Sequence, residues 1–290
     1  MERFRICKTK TAMANGETVF VPEINRMFDP VLVELIAQAG YTCVWIDMEH
    51  SHCSLEKLSS MILAARTVDL DLFVRISHGP YNQVVKPLEL GAAGLIWPHC
   101  RSANEAREFV RMAKFQPMGL RGMGGGRDSR YGADGTVEFL DRANKQTLLG
   151  VMIEDAEGVE DVDAIAAVKG IDLLFLGPGD LSHSYGSIRE PGQPHLHAPV
   201  LAAYEKVGAA CRANGKVMGT AVHPGARVPP SSRPLCSRYA AAASPCSAHS
   251  APAEAATQHF DCEQSAVPRS VTDSDGPHSR TWPFVHVHGH

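Results

Sequence analysis

Leu148-Leu-Gly-Val-Met-Ile153 runs without a break into Glu154-Asp155, and Leu173-Leu-Phe-Leu-Gly177 runs into Pro178-Gly-Asp180. In both, a continuous apolar stretch meets polar residues only at its C-terminal edge. Continuous rather than alternating apolar character marks a strand buried on both faces, as in a parallel sheet. Five further stretches read the same way: Thr18–Pro22, Cys43–Asp47, Leu72–Ile76, Gly94–Pro98 and Lys216–Thr220. Amphipathic segments separate them. Pro30–Ala39 carries Val31, Leu32, Leu35 and Ile36 on one face, with Gly40 placed to end the helix. Ser54 is the expected N-cap of a helix over Leu55–Arg66, and Ser102–Lys114, Asp161–Val168 and Ala198–Ala213 read as further helices. This alternation is the βαβα order of a parallel α/β fold. A closed (β/α)8 barrel needs an eighth strand, and the pattern supplies seven.

The chain has 290 residues, 28 Lys+Arg against 32 Asp+Glu, and a net charge of −4. A nucleic-acid binder carries a basic excess, which is missing here. There is no run of about 18 apolar residues for a membrane span. Met1–Ala14 has four basic residues but no apolar core, which argues against a secretory signal. The eight cysteines are scattered with no CxxC pair, so they read as reduced thiols of a cytoplasmic protein. The texture changes near residue 224. Residues 224–290 hold nine of the 19 prolines and six of the 14 histidines, with no Lys, Ile or Met. Apart from a brief alternation at Val285 and Val287, this segment has no sustained period. Such a composition buries too little apolar surface to offset ordering entropy. The expected organisation is therefore a domain over 1–223 and a disordered, low-complexity tail over 224–290.

In parallel α/β folds, ligands bind outside the carboxyl ends of the strands. Five of the apolar runs end in ionisable or polar groups: Asp47-Met-Glu-His50, Arg75, Pro98-His99, Glu154-Asp155 and Gly177-Pro-Gly-Asp180. Glu154 and Asp180 are two carboxylates at adjacent strand ends. They suit a hard dication such as Mg²⁺ or Mn²⁺, the alternative being a solvated pair or helix caps. Arg75 can take a carboxylate or a developing oxyanion, or else pair with Glu49 or Glu154. His50, three residues after Asp47, reads as a general base held by a carboxylate. Around Gly177, Pro178 and Gly179 the backbone can approach a substrate carboxylate closely. Gly119–Gly126 reads as a mobile loop over the site, with Arg121 and Arg127 as anion contacts; it lacks the Gly-Lys-Ser/Thr of a phosphate loop.

The segments Ala37–His50, Val74-Arg75, Phe115–Gly122, Met152-Ile-Glu-Asp155 and Phe175–Ser182, in this order and spacing, resemble the HpcH/HpaI aldolases, metal-dependent 2-oxo-acid aldolases of the phosphoenolpyruvate/pyruvate barrel superfamily. The resemblance covers roughly residues 15–222. It implies a TIM-type (β/α)8 barrel, here incomplete, and retro-aldol cleavage of a 4-hydroxy-2-oxo acid to pyruvate and an aldehyde. It implies Glu154 and Asp180 as ligands of a divalent metal (Mg²⁺, with Mn²⁺ or Co²⁺ as alternatives). Arg75 would meet the keto and enolate oxygen, His50 with Asp47 would handle the proton, and the 177–179 backbone would hold the pyruvyl carboxylate. A homo-oligomer without nucleic-acid or membrane partners would follow, although the C-terminal segment departs from the family. A further departure is Met152, where many members carry a substrate-holding Gln. Related readings are a citryl- or malyl-CoA-type lyase, an oxaloacetate decarboxylase, or an inactive remnant.

Overall fold

The computed structural model describes residues 6–134, 136–189, 197–222 and 284–288, with backbone alone for Val222 and 284–288. The strands are β1 (Val19–Ile24), β2 (Cys43–Asp47), β3 (Asp71–Arg75), β4 (Gly94–Trp97), β5 (Leu148–Ile153), β6 (Leu173–Leu176), β7 (Val217–Val222) and β8 (Phe284–His288). The helices are α1 (Lys8–Ala14), α2 (Pro30–Gln38), α3 (Leu55–Thr67), α4 (Tyr81–Leu90), α5 (Ala103–Ala113), α6 (Thr136–Gln146), α7 (Ala156–Glu160), α8 (Val162–Ala166), α9 (Pro178–Ser184) and α10 (Ala198–Asn214). All seven strands read from the sequence are present, and each pairs in parallel with the next. The local signals work as expected. Ser54 Oγ accepts from the Lys57 amide at 3.2 Å, and Gly40 sits just past α2 at φ +89°.

The seven expected strands form the curled parallel sheet of a TIM-type barrel, and one short strand from the C-terminal segment joins them. The backbone of β8 pairs in parallel with both β7 and β1, closing the barrel. This strand comes from the segment read as structureless, at the place where Val285 and Val287 alternate. Two unpaired edges offer a short extended stretch a full set of backbone partners, so little intrinsic strand character is needed. The rest of that segment, 223–283, lies outside the described residues.

Strand parity then places the site. In β2, Cys43 and Trp45 point into the barrel, as do Phe73 of β3, Leu148 and Met152 of β5, and Leu173 and Phe175 of β6; together they form an inner core. The residues between them (Val44, Ile46, Leu72, Val74, Leu149, Val151, Leu174) pack against the helices. With a side-chain period of two, the next inward positions are Asp47, Arg75, Glu154 and Gly177. All four stand at the carboxyl end of the barrel, above a floor of Trp45 and Phe175, whose rings are 5.1 Å apart. The opposite end is plugged by α1. There Asp71 Oδ2 accepts from the Thr9 amide at 2.8 Å and from its hydroxyl at 3.0 Å.

Candidate active site

The register of β2 against β3 sets Asp47 directly opposite Arg75. The two form a fork: Arg75 Nη2 donates to Asp47 Oδ2 at 2.6 Å and Nε to Oδ1 at 2.9 Å. Asp47 is buried. Burial works against its charge, but the Arg75 hydrogen bonds and charge outweigh it and hold the carboxyl below its ordinary range. Asp47 Oδ1 also accepts the amides of Glu49 at 2.9 Å and His50 at 3.3 Å, which shapes the loop after β2. Asp47 is thus the orienting partner of Arg75. Its recorded contact with His50 is to the backbone amide. The His50 imidazole is exposed, and its Nε2 lies 3.5 Å from Glu49 Oε2. Arg75 also lies 3.5 Å from Glu49 and 3.7 Å from Glu23, and its Nη1 faces Met152 Sδ at 3.8 Å.

Glu154 is 1% exposed, and its Oε1 accepts the His99 amide at 2.9 Å. Burial pushes its carboxyl up to about 7; the His99 amide and imidazole pull it down, and the charge of Asp180 pushes it further up. Gly177 is required here, because a Cβ at that position would collide with the Glu154 carboxylate. Asp180 itself stands exposed in the first turn of α9. The two carboxylates singled out from the sequence are therefore close enough to feel one another, one buried and one at the surface. Within 177–179, the Gly177 amide is used by Ile153 O at 3.2 Å and Pro178 has none. The Gly179 amide is then the donor of this stretch that can meet a substrate carboxylate.

Two strand-end residues that the sequence names without a metal-binding role, Glu49 and His99, complete the cluster with Glu154. Glu49, His99 and Glu154 each offer a ligand atom, and these atoms lie within 4.8 Å of one another. Glu49 Oε2 is buried without a hydrogen bond, and burial raises its carboxyl above the ordinary range. The available signal was position alone: each follows an apolar run. A buried, proton-hungry carboxylate beside a second one with an unsatisfied oxygen is a donor set that a hard dication fits.

Arg121 stands elsewhere. Its guanidinium pairs with Asp128 and stacks over Phe115, 4.6 Å from the ring centroid. Phe115 in turn bonds through its amide to Asn144, near the amino end of β5. The Gly-rich segment packs on the outside of α4: the Gly122 amide donates to Tyr81 Oη at 2.7 Å, and Arg127 reaches Ser59 O at 3.2 Å and Leu90 O at 3.1 Å. These partners place Arg121 and Arg127 outside the barrel mouth, so the expected mobile loop over the site is instead a packed outer segment. Small residues there serve close approach to Glu89 rather than motion.

Comparison with known proteins identifies the family. The family model for "HpcH/HpaI aldolase/citrate lyase" matches residues 19–229. A 4-hydroxy-4-methyl-2-oxoglutarate aldolase of Chaetomium globosum is 37% identical over 218 residues, covering 73% of this chain and 78% of that protein. A hydroxypyruvate/pyruvate aldolase of Pseudomonas aeruginosa is 34% identical over 189 residues, 64% of this chain and 70% of the relative. Among solved structures, an HpcH/HpaI aldolase from Desulfitobacterium hafniense superposes with a TM-score of 0.69 at 32% identity, covering 75% of this chain and 82% of that one. With the barrel fold and these relatives in agreement, the chain belongs to the HpcH/HpaI aldolase/citrate lyase family of carbon–carbon lyases.

Proposed function

We propose that the chain is a class II aldolase that cleaves a 4-hydroxy-2-oxo acid to pyruvate and an aldehyde with the help of a divalent cation. The observation that carries this reading is the buried Glu154 carboxylate, raised to about 7 by burial and facing Glu49 and the charge of Asp180. Glu154 and Asp180, with Glu49 at hand, are the residues that would hold Mg²⁺, Mn²⁺ or Co²⁺. Bound there, the dication supplies positive charge to the enolate that carbon–carbon cleavage leaves behind.

The chain's own residues divide the remaining work. Arg75 is locked by Asp47 on its Nε and Nη2 side, which leaves Nη1 to face the developing oxyanion. The Gly179 amide meets the pyruvyl carboxylate. Met152, against Arg75, gives the pocket a soft apolar wall where the substrate chain lies. His50, exposed at the mouth beside Glu49, takes the C4 hydroxyl proton. The C3–C4 bond breaks, its electron pair moves into the enolate, the aldehyde departs, and the proton that His50 took passes through water to C3, which completes pyruvate and restores the neutral imidazole. The five described cysteines are free and buried, which suits a reducing, cytoplasmic setting. Among the described residues no helix is long and apolar enough to cross a membrane. A homo-oligomer of the family type belongs to the same reading.

The direct test is pyruvate release, followed by coupled NADH oxidation, with 4-hydroxy-2-oxovalerate as the first substrate, which the proposed cleavage splits into pyruvate and acetaldehyde. Chelation by EDTA should lower the rate at least roughly 100-fold, and Mg²⁺, Mn²⁺ or Co²⁺ should restore it. Full activity in EDTA would overturn the reading. Arg75→Lys keeps the charge but loses the fork on Asp47. It should cut kcat by roughly 100-fold while changing KM little. Steady-state kinetics within twofold of the parent would remove Arg75 from its assigned role.

A further inference from the structure

We propose that His99 donates its imidazole Nε2 to the metal centre, making it a mixed nitrogen and oxygen site; the inference rests on the divalent-metal reading of Glu154. The backbone at His99 lies in the left-handed region, at φ +47°. A non-glycine residue is held there only when its surroundings demand it. The demand is visible: its amide donates to the buried Glu154 carboxylate at 2.9 Å. The same turn sets the imidazole between Asp155 and Glu49. Nδ1 is 3.0 Å from Asp155 Oδ2, and Asp155 is itself held by Arg101 Nη2 at 3.3 Å. A carboxylate on Nδ1 fixes the proton on that nitrogen and turns the Nε2 lone pair outward, the arrangement that prepares a histidine for a metal.

Nε2 then lies 3.8 Å from Glu49 Oε1. The two atoms are near enough that both would serve one divalent ion. One nitrogen of the His99 ring and one carboxylate oxygen each from Glu49 and Glu154 fall within 4.8 Å of one another, and the ring's Nδ1 edge lies 3.8 Å from Glu154 Oε1. His99 is thus placed as a further donor, at the end of the strand that neighbours Arg75's and across the Glu49 carboxylate from Arg75, with Asp155 as its positioning residue. The chemical consequence is selectivity. Imidazole is a softer donor than water or carboxylate, so it tilts the centre from Mg²⁺ toward Co²⁺ and Mn²⁺.

Two measurements test this on the full chain. The first needs no substitution: Mn²⁺-loaded protein is probed by electron spin-echo envelope modulation. Modulation from a directly bound imidazole ¹⁴N is expected, and its absence would overturn the proposal. The second compares Co²⁺ and Mg²⁺ binding to the metal-free parent, His99→Asn, Asp155→Asn and Glu154→Gln by equilibrium dialysis, with the visible Co²⁺ spectrum recorded alongside. His99→Asn should weaken Co²⁺ binding by about 10- to 100-fold and shift its spectrum, with Mg²⁺ affected by less than about threefold; Asp155→Asn should weaken Co²⁺ binding more mildly. Unchanged Co²⁺ affinity and spectrum in His99→Asn, with both lost in Glu154→Gln, would remove His99 and leave the metal reading standing. Binding of every metal unchanged in Glu154→Gln would instead remove the metal reading itself.

Discussion

Glu154→Gln should lower kcat for pyruvate release by roughly 1,000-fold or more, while the metal-free variant stays at least as stable as the metal-free parent. The two halves have one cause. Glu154 is a carboxylate that the fold charges at a cost: it is 1% exposed, and burial raises it to about 7. A buried charge of this kind is tolerated for what it holds. The amide is nearly the same shape, still fits the space left by Gly177, and its oxygen can still accept the His99 amide. What it removes is the negative charge that would anchor a dication, and with it several kcal/mol of enolate stabilisation. Thermal unfolding of both proteins in EDTA, beside steady-state kinetics in excess Mg²⁺, checks both halves. Turnover within tenfold of the parent would place the charge-stabilising group elsewhere, and a variant that melts well below the parent would make Glu154 a structural residue.

The contrast between what the chain announces and what it conceals follows from the range of each cause. Strands β2 and β5 coincide with their apolar runs because burial on both faces is written locally, residue by residue. Asp47, Arg75, Glu154 and Gly177 were legible because each follows such a run, and strand parity turns them inward. The pairing of Asp47 with Arg75 rather than with the His50 ring depends on the β2–β3 register, a relation across 28 positions that no local pattern encodes. His99 is similar: its partner Glu154 is 55 positions away. Arg121 misled for the opposite reason. Glycines around an arginine look like a mobile anion loop, but here they let the backbone pack against Glu89 and α4. The eighth strand was hidden because the two barrel edges, rather than its own composition, order the Val285 and Val287 stretch.

The folded chain should lose stability steeply in alkali, at about 5 kcal/mol per pH unit above pH 9.5, and unfold cooperatively near pH 10 to 11. Five thiols drive this: Cys7, Cys43, Cys53, Cys100 and Cys211 are all buried and free. Burial pushes Cys53 up to about 11 and Cys43, Cys100 and Cys211 up to about 12, and it raises Cys7 in the same direction. In the unfolded chain a thiol ionises near 8.5. Above that value the unfolded state has released protons that the folded state still holds, so stability falls as pH rises, by about 1.4 kcal/mol per unit for each thiol. Lys114 works in the other direction. Its ammonium donates to Asn144 O at 2.8 Å and Thr147 O at 2.6 Å, yet burial pulls it down to about 7. Between about 7 and 10.4 the unfolded chain binds the proton that folded Lys114 has shed, so this group adds stability as pH rises. Burial also lowers Lys216, so five thiols against two lysines leave a net of three to four titrations, and against the usual 5–15 kcal/mol of a domain the thiols win within about two units of pH 9. Urea titrations under reducing conditions at pH 7.5, 9 and 10 measure the slope. Cys211→Ala should start less stable at pH 7.5 but lose about 1.4 kcal/mol less per pH unit above 9.5, because one titrating thiol is gone. A stability that stays flat from pH 8 to 10.5 would mean that these cysteines reach water far more readily than their packing implies.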